Sequence, residues 1–246
     1  MCYRYSVPGP DTLVKRFSAS FPEEASFSRQ YHASSFDLPK LPVITNENPT
    51  QIQLFYWGLI PFWVKDEKTA EEIRFKTMNA RAENIFEKPS FRHAAEKKHC
   101  LVLADGFFEW QEVKGKNYPY YIRLKSHEPF AMAGLWDSWT NKTKDEMVHT
   151  YTVITTQANP LMEKIHNKKK RMPVILRKED EQQWIRSILD KDLTKSLLNP
   201  YDYQKMEAYT ISHLITSRTQ NPNTPQVLEP YTYPGLQPTY GQKKLE

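Results

Sequence analysis

The chain has 246 residues, of which 26% are charged, with a net charge of +5 and a mean hydropathy of −0.71. That length suits one large mixed domain, placed over residues 1–230 with an irregular tail over 231–246. No run approaches the roughly 20 apolar residues of a membrane span, Ser6-Val7-Pro8-Gly9-Pro10 leaves no room for a signal peptide, and two cysteines exclude a disulfide framework, so a soluble, intracellular, cytoplasmic protein is expected.

Tyr, Phe and Trp number 14, 12 and 6 against 7 Gly and 18 Pro, which suggests a β-rich body with Pro-punctuated loops. Alternation and β-branched or aromatic runs predict strands over residues 2–7, 52–59, 76–82, 100–104, 107–113, 118–124, 130–136, 149–155 and 207–211. Gly115-Lys116-Asn117 reads as a hairpin turn. Helices are predicted over 90–98, over 160–166 with Asn159 as cap and Pro160 in the first position, and over 178–189. No repeat or shift in composition marks a domain boundary.

Cys2 directly follows the initiator Met1. Removal of Met1 would leave a 1,2-aminothiol, whose amine and thiol, with reference pKa values of about 8 and 8.5, are both partly nucleophilic near neutrality. An aldehyde or activated carbonyl is its natural electrophile. If Cys2 begins a strand, Arg4 shares its face and can hold a phosphate or carboxylate of the substrate. Asn79, Arg81 and Glu83 likewise share one face of an extended segment, where an amide can position an amine and an arginine can grip a phosphate. Glu109 stands on the Phe107 side of its strand, a setting that raises a carboxyl pKa toward the range of a general acid or base, while Trp110 offers a surface for base stacking. His166, at a helix end favouring its protonated form, is the best placed of seven histidines, beside the run Lys168-Lys169-Lys170-Arg171. Cys100, in Cys100-Leu101-Val102-Leu103, reads as core. No cluster has metal-ligand spacing, and no cofactor is implied. The modest basicity, with pI near 9.0, favours a polyanionic partner.

Met1-Cys2, Trp57-Gly58-Leu59-Ile60-Pro61-Phe62-Trp63, Asn79-Ala80-Arg81-Ala82-Glu83, Gly106-Phe107-Phe108-Glu109-Trp110 and His166 followed by Arg171-Met172-Pro173-Val174-Ile175-Leu176 together resemble the SOS response-associated peptidase family. The chain departs from it in having Tyr3 where glycine is common and a longer gap between His166 and Arg171. The resemblance implies an α+β fold, with a mixed, largely antiparallel β-sheet curled into a barrel-like core with flanking helices. It also implies a monomer that senses abasic sites in single-stranded DNA and bonds to them through Cys2 as a thiazolidine, after removing its own Met1. In that picture Asn79 orients the amine, Glu109 shuttles protons and His166 assists ring opening. Arg4, Arg81 and Arg171 contact DNA, and Trp63 and Trp110 form apolar faces at the lesion. The competing readings are an amino-terminal-nucleophile cysteine peptidase or amidohydrolase, and a DNA-binding module without chemistry.

Overall fold

A computed structural model describes residues 2–186 and 190–236. In chain order it contains β1 (Arg4–Val7), α1 (Pro10–Phe17), β2 (Gln30–Ser34), β3 (Lys40–Thr45), β4 (Ile52–Trp57), α2 (Glu67–Arg74), β5 (Asn79–Arg81) and α3 (Arg92–Lys97). It continues with β6 (His99–Ala104), β7 (Gly106–Val113), β8 (Lys116–Leu124), β9 (Phe130–Asn141), β10 (Glu146–Gln157), α4 (Pro160–Ile165), β11 (Arg171–Pro173), α5 (Lys178–Trp184), α6 (Lys191–Leu197) and β12 (Met206–Thr210). The fold is α+β, as the sequence implied.

Five strands close a barrel in the order β10-β4-β3-β6-β9, with β9 returning to β10. All pairs in it are antiparallel except β4 with β10. The 12 residues of β10 let it serve two neighbours on each edge: β4 and then β5, both parallel, on one, and β9 and then β11, both antiparallel, on the other. A second, antiparallel sheet runs β12-β8-β7-β1-β2. Alternation along its strands feeds two cores. Tyr5, Val7, Ala33 and Phe107 join the main core with the barrel, whereas Phe108 and Tyr121 form a smaller one with Ile211, Ile215 and Val227 of the segment that crosses the sheet's outer face. That segment is tied down by Asn223, whose side-chain oxygen accepts the backbone N–H groups of Tyr31 and His32 on the edge strand β2. The predicted tail is held in its described part, where Tyr231 N–H donates to Thr210 O and Tyr233 Oη to Ile211 O; residues 237–246 lie outside the described residues.

Several elements differ from expectation. The predicted strand over 76–82 shrinks to β5, because a 3-10 turn (Ala82–Asn84) follows at once. The hairpin turns one residue early, at Lys114 and Gly115, both with positive φ (50° and 79°), so Lys116 and Asn117 already belong to β8. Helix α5 ends at Trp184, short of the predicted 178–189; residues 187–189 lie outside the described residues. Among the described residues no helix is long and apolar enough to cross a membrane.

Candidate active site

Cys2 precedes β1 rather than beginning it, and this changes where its thiol points. The side chain is fully buried with Tyr5 and Phe107 in the main core, its Sγ 3.7 Å from the carbonyl oxygen of Arg4. Arg4 and Ser6 face the other side, where Ser6 Oγ meets Asp105 and Tyr121. The shared face expected for Cys2 and Arg4 is therefore not formed, since alternation holds only within the strand. Burial, reinforced by the negative charge of nearby Glu109, pushes the Cys2 thiol well above its ordinary pKa. It is a protonated thiol, not a standing thiolate.

Glu109 lies on β7 opposite Tyr120 of β8 and is 4% exposed. Burial raises its pKa to about 7 against the pull of the Lys169 and Arg4 cations. Its neighbour is His166, which follows α4, a helix capped by the Asn159 side chain accepting from Met162 N–H. His166 Nδ1 lies 2.8 Å from the Arg171 carbonyl, an oxygen that can only accept, so Nδ1 carries the proton and Nε2 presents a lone pair. That Nε2 faces Glu109 Oε2 at 3.6 Å. The helix end was expected to favour imidazolium. Instead burial, aided by the Lys169 and Arg171 charges, lowers the pKa to about 4 and keeps the ring neutral.

These groups sit at a cleft of about 520 Å³ lined also by Tyr3, Arg4, Phe36, Trp110, Lys169 and His213. The Arg4 guanidinium carbon lies 5.6 Å from the Phe36 ring centre and 5.1 Å from that of Trp110, and the Tyr3 ring packs tilted against Phe36 at 5.3 Å. One wall is thus a run of packed flat groups, Tyr3, Phe36, Arg4 and Trp110. Phe36 carried no sequence signal, because it lies in a short 3-10 turn (Ser35–Asp37) rather than in a patterned element. Lys169 was visible only as one of a run of lysines.

A neighbouring groove of about 610 Å³ holds Asn79 and Arg81 with Lys76 and Lys88. Both side-chain polar atoms of Asn79 are buried without a hydrogen-bond partner. Tyr3, in the lining of the first hollow, has its hydroxyl within electrostatic reach of Glu109 there and of Arg81 in the second. Trp63 lies outside the cleft lining, 44% exposed beside Phe62, whose ring packs at a tilt against His93 at 4.6 Å. Arg171 departs furthest from its predicted role of contacting DNA. It is 9% exposed, and its guanidinium is engaged by Glu83 at 2.8 and 2.9 Å and by the Thr155 carbonyl at 2.5 Å. Glu83, expected on one strand face with Asn79 and Arg81, instead sits in the following turn and serves this pair. Among the described residues no group of three or more His, Cys, Asp or Glu side chains could hold a metal ion.

The site thus brings together a buried thiol, a carboxyl whose pKa is raised toward neutrality and a neutral histidine facing it. Residues 1–218 match the family described as SOS response associated peptidase (SRAP), and the chain belongs to that family. It is 40% identical over 234 residues to the abasic site processing protein YoqW of Bacillus subtilis, covering 93% of this chain and 99% of that one. It is 33% identical over 196 residues to the abasic site processing protein HMCES of Xenopus tropicalis, covering 70% of this chain and 55% of that longer one. A crystal structure of a Bacteroides thetaiotaomicron protein, 39% identical, superposes with a TM-score of 0.88 over 94% of this chain and 100% of the other.

Proposed function

We propose that the protein processes abasic sites in single-stranded DNA by bonding to them through Cys2. The observation that carries this reading is the Glu109–His166 pair, 3.6 Å apart beside a protonated Cys2 thiol. Such a site favours amine attack first and thiol attack second.

Removal of Met1 frees the Cys2 α-amine. The amine adds to the open-chain aldehyde of the abasic deoxyribose, giving a carbinolamine. Protonated Glu109 donates its proton to the departing hydroxyl; water leaves and an iminium forms. The thiol sulfur then adds to the iminium carbon, its proton passing to the Glu109 carboxylate, and a five-membered thiazolidine closes with a neutral amine nitrogen. Proton count is restored at the end of the cycle. Ring closure removes the iminium that would otherwise acidify the adjacent C–H and expel the 3′ phosphate, so the strand stays intact. Reversal runs the same steps backward, with the neutral His166 Nε2 accepting a proton from Glu109 or returning it. Asn79, with both amide atoms unpartnered, is suited to orient the freed amine. Arg81 with Lys76 and Lys88 supplies a basic groove for the phosphates, and the Phe36–Arg4–Trp110 wall a stacking surface for a flanking base. The basic grooves are what an amidohydrolase of the same amino-terminal chemistry would not need.

The test is a single-stranded oligonucleotide with one abasic site, mixed with wild type or Cys2→Ala and run on a denaturing gel beside an intact oligonucleotide. A shifted band only with wild type and the lesion supports the reading. No shift from a protein whose intact mass shows Met1 removed would falsify it.

A further inference from the structure

The turn between α4 and β11 carries a run of lysines, two of which line the cleft, and the contacts that anchor the turn lie on either side of Lys169. Asn167 clasps the backbone of Glu112 on β7 from both sides, its Oδ1 accepting from the amide at 3.1 Å and its Nδ2 donating to the carbonyl at 2.8 Å. Lys168 pairs with the Glu112 carboxylate. Lys170, at φ +48°, donates its N–H to His166 O at 2.8 Å, and its carbonyl accepts from Ala158 N–H at 3.0 Å. Lys169 stands between these anchors. It lines the cleft, is exposed, and among the described residues forms no ion pair. Its charge nevertheless reaches both Glu109 and His166. A rigid turn that presents an unengaged ammonium beside the reacting groups is the geometry of an anion site. The other cleft cations are differently placed: Lys168 is engaged with a carboxylate, and Arg4 is packed between two rings.

We propose that Lys169 binds the phosphate attached to the reacting deoxyribose, so that the site takes a sugar phosphate in preference to a free sugar. This rests on the aldehyde chemistry proposed above and specifies the substrate class. An ammonium in the cleft that holds Glu109 discriminates by charge alone and needs no base, which suits a lesion defined by having none. It also draws the phosphate, and with it the aldehyde carbon, toward the carboxyl that must protonate the departing hydroxyl.

The experiment compares 2-deoxyribose 5-phosphate with 2-deoxyribose, following Cys2 adduct formation by intact mass for wild type, Lys169→Gln and Lys170→Gln. Wild type and Lys170→Gln should favour the phosphorylated sugar about tenfold more than Lys169→Gln does, roughly a discrimination of 1.4 kcal/mol, the variant keeping only the preference that comes from a 5-phosphate being unable to close to a pyranose. Equal rates for both sugars in wild type, or an unchanged ratio in Lys169→Gln, would overturn the assignment while leaving the Cys2 chemistry intact. If neither sugar reacts, the abasic oligonucleotide decides: Lys169→Gln should lower the slope of log affinity against log salt by about 0.7, the contribution of one single-strand phosphate contact, and an unchanged slope overturns it. Failure of wild type to form any Cys2 adduct, with sugar or oligonucleotide, would instead remove the proposed function itself.

Discussion

His166 Nε2 points its lone pair at Glu109 Oε2 from 3.6 Å, while its Nδ1–H is committed to the Arg171 carbonyl. With the histidine pKa near 4 and the glutamic acid near 7, the exchangeable proton of the pair belongs to Glu109, which holds it below pH 7 and gives it up above. Two consequences can be measured.

The first is kinetic. Dehydration of the carbinolamine needs the acid form of Glu109, so the rate of adduct formation at saturating DNA should fall as pH rises through about 7. Glu109→Gln should slow formation by about 100-fold or more, in the range of a lost general acid, and should flatten that limb of the profile. A Glu109→Gln profile that keeps the same fall near pH 7 would assign the titration to another group.

The second is thermodynamic, and its sign follows from linkage. The folded pKa of Glu109 lies above its ordinary value of 4.5, so between those values the unfolded chain has lost the proton that the native state keeps. Stability therefore falls as pH rises from about 4.5 to about 7, and the loss is complete above 7. A shift of this size corresponds to about 3 kcal/mol. Glutamine imitates the neutral acid at every pH. Melting curves should show Glu109→Gln close to wild type at pH 4.5 and about 5–10 °C more stable at pH 8.

The Arg171 side chain gives a third prediction, because its role in the fold must be separated from any role in binding. Arg171→Ala removes the partner of Glu83 and of the Thr155 carbonyl together and should cost about 2–4 kcal/mol, breaking β11 from β10. Glu83→Gln should cost only about 1 kcal/mol, since the carboxylate is 45% exposed and solvent already screens it. If single-strand affinity drops in Arg171→Ala but not in Glu83→Gln, and the loss tracks the melting temperature, the arginine acts through folding.

What the sequence disclosed depended on whether the signal was local. Strands with uninterrupted apolar patterning were legible: β4 was placed to within two residues, and β7 to within one. The facing of Phe107 with Glu109 and of Phe108 with Trp110 followed from alternation and holds. Strand β3 was missed because Pro42 interrupts it. In the barrel that proline pairs with Leu54 of β4, while the β6 ladder begins only at Val43, so its missing N–H leaves no gap in the ladder. Helix α2 was missed for the opposite reason: only Ala70 is buried along Glu67–Arg74, and its one clear signal is the Asp66 cap to Thr69 N–H. Cys2, Glu109 and His166 could be named from their types and motif context, but no spacing rule could reveal that Arg171 would be taken by Glu83 or that Phe36 would flank Arg4. Those contacts join segments far apart in the chain.

Barrel closure gives a fourth prediction. Gly134 of β9 lies opposite Cys100 of β6, and a Cβ there would stand 2.7 Å from Val102 Cγ2, 2.8 Å from Cys100 Sγ and 2.9 Å from the Thr152 carbonyl oxygen. Gly134→Ala should destabilise by about 3 kcal/mol, at the upper end of overpacking. Adding Cys100→Ala should recover less than half of it, because the Thr152 contact is backbone and cannot withdraw. Recovery to wild-type stability would mean that β9 shifts freely.

Phe36 separates DNA binding from chemistry. It is 52% exposed, so truncation should leave the melting temperature within about 2 °C, as for most surface substitutions. Yet it forms one side of the Arg4 clamp and packs against Tyr3, so Phe36→Ala frees the guanidinium and removes the outer ring of the wall. Stacking on such a plane is worth about 1–3 kcal/mol per base, and single-strand affinity should fall about tenfold. Phe36→Leu, which keeps an apolar side chain but no ring, should fall nearly as far if stacking is the cause and should bind like wild type if bulk alone is needed. Neither variant should change the rate at which Cys2 captures free 2-deoxyribose 5-phosphate, which has no base to stack. A matching loss of that rate would place Phe36 in the reacting site itself, supporting the Cys2 backbone through Tyr3, and would displace the stacking role.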